Sequence, residues 1–362
     1  MFAPTGNSHE FLAEQGMDVA LGKGEWHEPG TDYESEIAAM AQGAVAMAGT
    51  SIRASPITRR ILEASPDLRI VAKSTVGVDD IDVDACTEMG ILVTHAPVES
   101  NWGNIAEVTV TFMLAHLKGL PQQDATIKGG GWWTEGRQGT YIGSRQSDGY
   151  EGITLGIIGL GRIGMRVSQL MRPWNIRILA YDPYVPDYRF LEAQAKPVDL
   201  ETLLHESDVV TMHVVLNKET RHMMSYDQFA MMKPRAFFIN TSRGAAHDEK
   251  ALADALERGL IAGAALNAFE DEPLPADSSL RLMGNRILMR PHGGTPLRSN
   301  LASSEAPVGR TAGQNTQWVN TDIMKALRGE LPVHIFNHEA IPLWLERFGG
   351  KPAGIEAPLP TP

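Results

Sequence analysis

Three residues in the second half of the chain have the types that move protons and grip carboxylates, and each follows an apolar run. Arg243 stands in Asn240-Thr241-Ser242-Arg243-Gly244, Glu272 in Phe269-Glu270-Asp271-Glu272-Pro273, and His292 in Arg290-Pro291-His292-Gly293-Gly294. An arginine fork binds a carboxylate through two hydrogen bonds and can polarise an adjacent carbonyl. A histidine beside a glutamate has its imidazolium stabilised, which makes it an acid/base near neutral pH. Taken singly, each residue also fits an ordinary solvated turn. Their chemistry depends on what lies beside them.

The stretch Gly152 to Asp182 supplies that context. A short apolar run (Ile153, Leu155, Ile157, Ile158) ends in Gly159-Leu160-Gly161-Arg162-Ile163-Gly164 and opens onto a helical pattern (Val167, Leu170, Met171). Gly159 permits a tight turn, Gly161 lets the backbone approach a pyrophosphate, and Gly164 lets helix and strand pack closely. The helix N-terminus faces the anion. A second strand, Ile176 to Tyr181, ends on Asp182, eighteen positions after Gly164. That spacing suits a carboxylate binding both hydroxyls of an adenosine ribose, which favours NAD over NADP. Beside a nicotinamide, Arg243 would hold the carboxylate of a 2-keto acid, His292 would protonate its carbonyl oxygen during hydride transfer, and Glu272 would orient and charge His292.

The elements that must position these residues alternate in type. Strands are expected at Leu68 to Ala72, Ile91 to Thr94, Val209 to Val215, Ala236 to Asn240, Ile261 to Leu266 and Ile287 to Met289. Helices are expected at Ile57 to Ala64, Asn104 to Leu117, Leu200 to His205, Tyr226 to Met231 and Glu249 to Arg258. Such alternation implies an α/β fold of doubly wound parallel sheets with the ligand at the carboxyl ends of the strands. His116 reads as a packed histidine. Residues 128 to 151, with Trp132 and Trp133, read as a loop or arm, and 338 to 362, with five prolines, as an extended arm or mobile tail.

At 362 residues the length suggests two domains, and 43% hydrophobic residues can fill a core in each. A formal charge of −12 argues against nucleic acid or an anionic membrane as partner. The single cysteine, Cys86, excludes an internal disulfide and a multi-cysteine metal site, so no metal is expected. With no signal-like segment in MFAPTGNSHEF, a cytoplasmic protein is expected.

From these residues the chain resembles the D-isomer-specific 2-hydroxyacid dehydrogenases over roughly residues 50 to 337. The matching pieces are Val76-Gly77-Val78-Asp79, Asn101 with Ala106-Glu107, Gly159 to Gly164, Asp182, His213, Asn240 to Gly244, Glu272-Pro273 and Pro291-His292. The resemblance implies two Rossmann-like domains: an NAD-binding domain (99–298) inserted into a discontinuous substrate domain (1–98 and 299–362). It also implies a homodimer. By the same likeness Val76, Gly77 and Asn101 would help Arg243 bind substrate, while His213, Ser242 and Asn267 would lie near the cofactor.

The family usually has Asp where this chain has Asn267, and Lys73-Ser74-Thr75 replaces a more usual Arg-Ala-Gly. Glu272 argues against formate oxidation, because formate-oxidising relatives usually carry glutamine there. A phosphorylated substrate would need extra cations, for which Arg53 and Lys73 are the candidates. The rival to an enzyme is a corepressor-like binding protein of the same fold that uses NAD(H) to set its assembly state.

Overall fold

A computed structural model of the chain describes residues 8–22, 32–49, 56–132, 139–292 and 310–353. The chain divides into two compact units, one of Met1–Asn101 with Thr295–Pro362, the other of Trp102–Gly294.

Among the described residues the Trp102–Gly294 unit is built on one parallel sheet of seven strands. These are β4 (Thr154–Ile158), β5 (Arg177–Tyr181), β6 (Lys196–Pro197), β7 (Val209–Met212), β8 (Phe237–Asn240), β9 (Gly263–Leu266) and β10 (Ile287–Met289), in the order β10-β9-β8-β7-β4-β5-β6. Successive side chains of a strand point to opposite faces, and helices cover both faces here, so the strands read as continuous apolar runs. Leu179, Val210, Phe238 and Leu266 enter one core, packed with Leu203, Leu252 and Leu256. Their neighbours Ile178, Val209, Ile239 and Ala265 enter the other, packed with Met113, Val167 and Met171. The strand order reverses direction between β4 and β7, which creates a crevice at the carboxyl ends of those two strands.

The Met1–Asn101 and Thr295–Pro362 unit carries a parallel sheet of β1 (Ala46–Gly49), β2 (Ile70–Lys73) and β3 (Leu92–Thr94) among the described residues. Chain from its C-terminal part closes it. Asn337 accepts from the Val93 amide (2.7 Å) and donates to the Ile91 carbonyl (3.0 Å), and the Phe336 amide reaches the Val93 carbonyl (2.7 Å).

Several sequence expectations change. The helix placed at Asn104 to Leu117 runs from Glu99 to Leu117 and so includes Asn101. His116 donates from Nε2 to the Ala264 carbonyl (2.7 Å) and packs on Phe237, a packed histidine as expected. Leu120–Lys128 forms a further helix ahead of the loop that carries Trp132, which is 85% exposed; Trp133 lies outside the described residues. Residues 338–353 are not an extended arm: Ile341–Phe348 is a helix whose Pro342 sits in its first turn, where the missing N–H costs nothing. Its Trp344 is fully buried and donates Nε1–H to the Arg69 carbonyl (2.9 Å). The rest of that stretch, 354–362, lies outside the described residues.

Lys73 is also corrected. Its ammonium lies 2.5 Å from the Asp80 carboxylate, with both side chains almost completely buried, so this cation is paired with a carboxylate inside the unit. Arg53, the other candidate cation, lies outside the described residues.

Trp344→Ala removes a fully buried ring and its hydrogen bond, and the expected loss is about 3–5 kcal/mol of unfolding free energy. Denaturant titration measures it; a loss under about 1 kcal/mol would mean that the Ile341–Phe348 helix is not part of the core.

Candidate functional site

The glycine turn after β4 shows which positions require glycine for packing and which for a ligand. Gly159 has φ +91°, and a Cβ there would lie 2.7 Å from the His213 carbonyl oxygen. A Cβ on Gly164 would lie 2.1 Å from the Gly159 oxygen, so helix Arg162–Met171 can seat against the turn only with glycine. Gly161 differs: its φ of −72° suits any residue, and its Cβ would meet nothing within 4 Å. The open space in front of Gly161 is next to the first-turn amides of the helix, with Arg162 and Ile163, which have no intrahelical acceptors. This is a cradle for an anion.

Asp182, at the carboxyl end of β5, ties that turn together. Its Oδ2 accepts from the Leu160 amide (2.8 Å) and its Oδ1 from the Tyr184 amide (3.0 Å). Arg189 donates to the carbonyls of Leu160 (3.2 Å) and Gly161 (3.3 Å) from helix Asp187–Ala193. Neither this helix nor Arg189 is signalled by the sequence motif. The only available cue was a basic residue seven positions after the strand-end acid.

His213 follows β7 in a line of hydroxyls whose proton directions can be assigned. Thr109 Oγ1 donates to the Ile105 carbonyl (2.9 Å), so it accepts from Thr241 Oγ1 (2.8 Å). Thr241 Oγ1 then accepts from His213 Nδ1–H (3.5 Å), which leaves Nε2 to accept from Thr211 Oγ1 (3.0 Å). Burial lowers the His213 pKa to about 3, so the ring is neutral at physiological pH.

The loop after β8 is held by Asn240, a residue of the Asn240 to Gly244 match to whose side chain the sequence assigns no role. Its Oδ1 accepts from the amide (2.9 Å) and hydroxyl (2.8 Å) of Ser242, and its Nδ2 donates to the Arg243 carbonyl (2.7 Å) and His247 Nδ1 (2.9 Å). All four of its hydrogen-bonding positions are used. His247 is fully buried, and desolvation lowers its pKa to about 4. Gly244 brings this loop against the next: a Cβ there would fall 1.8 Å from the Phe269 carbonyl carbon.

That second loop turns back on itself. Glu272 Oε1 accepts from the Phe269 amide (3.0 Å), and the Glu270 amide donates to Glu249 Oε1 (2.7 Å). Glu272 Oε1 also lies 2.8 Å from His292 Nδ1, with both side chains largely buried. An ionised carboxylate only accepts, so Nδ1 carries the proton in this pair. Asn267, at the end of β9, completes the group. It is 0% exposed and donates from Nδ2 to the Pro291 carbonyl (3.1 Å), while its Oδ1 is buried with no partner among the described residues. A buried acceptor without a donor is costly, and a ligand amide would satisfy it.

Thus Gly159, Gly161, Arg162, Ile163, Gly164, Asp182, His213, Ser242, Arg243, Asn267, Glu272 and His292 all sit at the carboxyl edge of one sheet. The bonds above join Glu272 to His292, Asn267 to Pro291, and the Arg243 loop to the Glu272 loop. Val76, Gly77 and Asn101 belong to the other unit. Among the described residues no group of three His, Cys, Asp or Glu side chains could hold a metal ion.

Comparison with known proteins agrees with this geometry. Residues 110–294 match the model of the D-isomer specific 2-hydroxyacid dehydrogenase NAD binding domain. The chain is 38% identical to a D-3-phosphoglycerate dehydrogenase of Methanocaldococcus jannaschii over 79% of its own length, spanning about half (51%) of that protein. It is 37% identical to a glyoxylate reductase of Korarchaeum cryptofilum, covering 80% of this chain and 82% of the relative. The crystal structure of a glyoxylate reductase from Paecilomyes thermophila superposes with a TM-score of 0.72 at 27% identity, covering 92% of this chain and 94% of that one.

The chain therefore belongs to the D-isomer specific 2-hydroxyacid dehydrogenase family, an oxidoreductase class acting on CH–OH donors. Its cofactor is NAD. The open cradle at Gly161 and the unsatisfied Oδ1 of Asn267 fit a pyrophosphate and a carboxamide respectively.

Gly161→Ala is expected to leave thermal stability unchanged while weakening NADH binding at least tenfold, because its methyl group fills only the cradle. Gly164→Ala is expected to lower stability directly. Calorimetry with NADH and thermal melts separate the two, and equal nucleotide affinity in Gly161→Ala and the unsubstituted protein would refute the assignment.

The lowered pKa of His247 predicts a pH dependence of stability. Its contribution is complete above the unfolded value of about 6.5 and is lost as pH falls towards its folded value of about 4. By pH 5 the loss from this residue is about 2 kcal/mol. Denaturant midpoints between pH 7.5 and 5, a range above most carboxylate titration, should fall accordingly; a flat profile would contradict a buried neutral His247.

Proposed function

We propose that the protein reduces a small, unphosphorylated 2-keto acid to the D-2-hydroxy acid, and runs the reverse oxidation on the same residues. The observation that carries this reading is the 2.8 Å contact between His292 Nδ1 and Glu272 Oε1. With Nδ1 committed to the carboxylate, Nε2 is the atom that exchanges a proton with substrate. Bound NADH supplies the hydride, which goes to C2.

The remaining roles fall to the chain's own residues. As C2 becomes tetrahedral, the carbonyl π pair moves to oxygen, which takes the Nε2 proton of His292. The Glu272 carboxylate stabilises the imidazolium beforehand and fixes the ring. Arg243 holds the substrate carboxylate through its guanidinium fork. Val76, Gly77 and Asn101 contribute further substrate contacts. Asp182 takes the adenosine ribose hydroxyls, His213 and Ser242 line the cofactor, and Asn267 Oδ1 accepts from the carboxamide.

The substrate choice rests on Lys73, whose burial against Asp80 removes a cation that a phosphate group would need. We place the protein in the cytoplasm as a homodimer. Exposed Leu120, Ile127 and Trp132, close together in sequence, are candidates for the subunit interface. Cys86 is buried, with desolvation pushing its thiol up to about 12, as an inert thiol of a reducing compartment would be.

NADH oxidation against glyoxylate, hydroxypyruvate, pyruvate and phenylpyruvate tests the reading. His292→Ala is expected to lower kcat by about 10²–10⁴ while leaving NADH affinity within about twofold. Full turnover in His292→Ala would end the acid/base assignment. NADH-dependent assembly with no turnover of any keto acid in the unsubstituted protein would instead favour a nucleotide-sensing binder.

A further inference from the structure

His95 follows β3 directly, and neither the proposed chemistry nor any motif in the chain uses it. Its ring is half-buried, and Nδ1 lies 2.9 Å from the Val76 carbonyl oxygen. A carbonyl only accepts, so Nδ1 carries a proton and donates it. His95 is itself held in place. Its backbone amide donates to the His334 carbonyl (3.1 Å), and its ring meets Phe336 edge-on with centroids 5.5 Å apart. The neighbouring Ala96 amide donates to the Thr75 carbonyl (3.0 Å), so consecutive residues after β3 grip consecutive carbonyls of the 74–78 loop.

What this grip does follows from peptide geometry. The Val76 carbonyl and the Gly77 N–H belong to one planar trans peptide and point in opposite directions. A donor fixed on the carbonyl oxygen therefore fixes the direction of the Gly77 N–H away from His95. Among the described residues the amides of Val76 and Gly77 have no acceptor, although both residues are half-buried. An unpartnered, half-buried amide is a donor ready for an anionic oxygen. An acceptor bound to Gly77 N–H would also be strengthened by the hydrogen bond behind it, because the two bonds polarise the same peptide.

We infer that His95 is a positioning residue that holds the Gly77 amide ready for the carboxylate of the 2-keto acid. The inference rests on the proposed substrate role of Val76 and Gly77 and adds the residue that holds them ready. Its effect is on substrate capture, not on proton transfer.

The test compares unsubstituted protein, His95→Leu and His95→Asn in steady-state NADH oxidation, with thermal melts and NADH affinity measured on each. Asparagine can place an N–H close to where Nδ1 stands, whereas leucine keeps bulk and loses the donor. His95→Leu is expected to raise KM for the keto acid about tenfold, with kcat within about threefold and NADH affinity unchanged. His95→Asn is expected to recover most of that KM. An unchanged KM in His95→Leu would overturn the inference, as would parallel losses of melting temperature, kcat and KM that asparagine does not rescue. Absence of turnover in the unsubstituted protein with every keto acid would overturn the functional reading and this inference with it.

Discussion

At Gly244 two loops of the Trp102–Gly294 unit approach so closely that no side chain fits between them: a Cβ would fall 1.8 Å from the carbonyl carbon of Phe269. That contact sets the loop bearing Arg243 against the loop bearing Glu272, and much of the site depends on it. Glu272 is folded back onto the Phe269 amide, so the residue that Gly244 abuts is also the one whose N–H anchors the carboxylate, and the carboxylate in turn holds His292. Backbone packing, which side-chain motion cannot relax, thus fixes residues from the ends of three neighbouring strands. The strands are parallel, so all three deliver their loops to one edge.

Histidines of this unit show how environment divides their roles. His213 and His247 are desolvated and have hydroxyl or amide neighbours, which brings their pKa values to about 3 and about 4 and keeps them neutral. They act as fixed hydrogen-bonding pieces, His213 in the threonine line and His247 behind Asn240. His292 has a carboxylate on its ring nitrogen and a place at the end of the sheet. In the proposed mechanism one residue type therefore supplies both rigid framework and acid/base, and the difference lies in the neighbours.

Much of this was legible in the sequence because it rests on local rules. Gly159 and Gly164 mark a positive φ and a close approach, Asp182 ends the next strand, and the apolar runs of β4, β7 and β8 mark strands buried on both faces. What depends on distant partners was not legible. Lys73 opens a polar segment and reads as a candidate cation for a phosphorylated substrate; its burial depends on the fold of the 74–80 loop, which returns Asp80 to it. Pro342 and the prolines after it suggested a tail, yet a proline in the first turn starts a helix as readily as it ends one, and Trp344 docks that helix. Asn240 and His95 each act on a backbone carbonyl, and such roles leave no spacing pattern because backbone is everywhere.

The most direct measurement of the central claim follows the hydride itself. NADH deuterated at the transferred C4 position would be incubated with the protein and the keto acid it turns over best, and the product examined by mass spectrometry and chiral chromatography. The account predicts a D-2-hydroxy acid carrying one deuterium at C2. A product without deuterium at C2, or of L configuration, would contradict it.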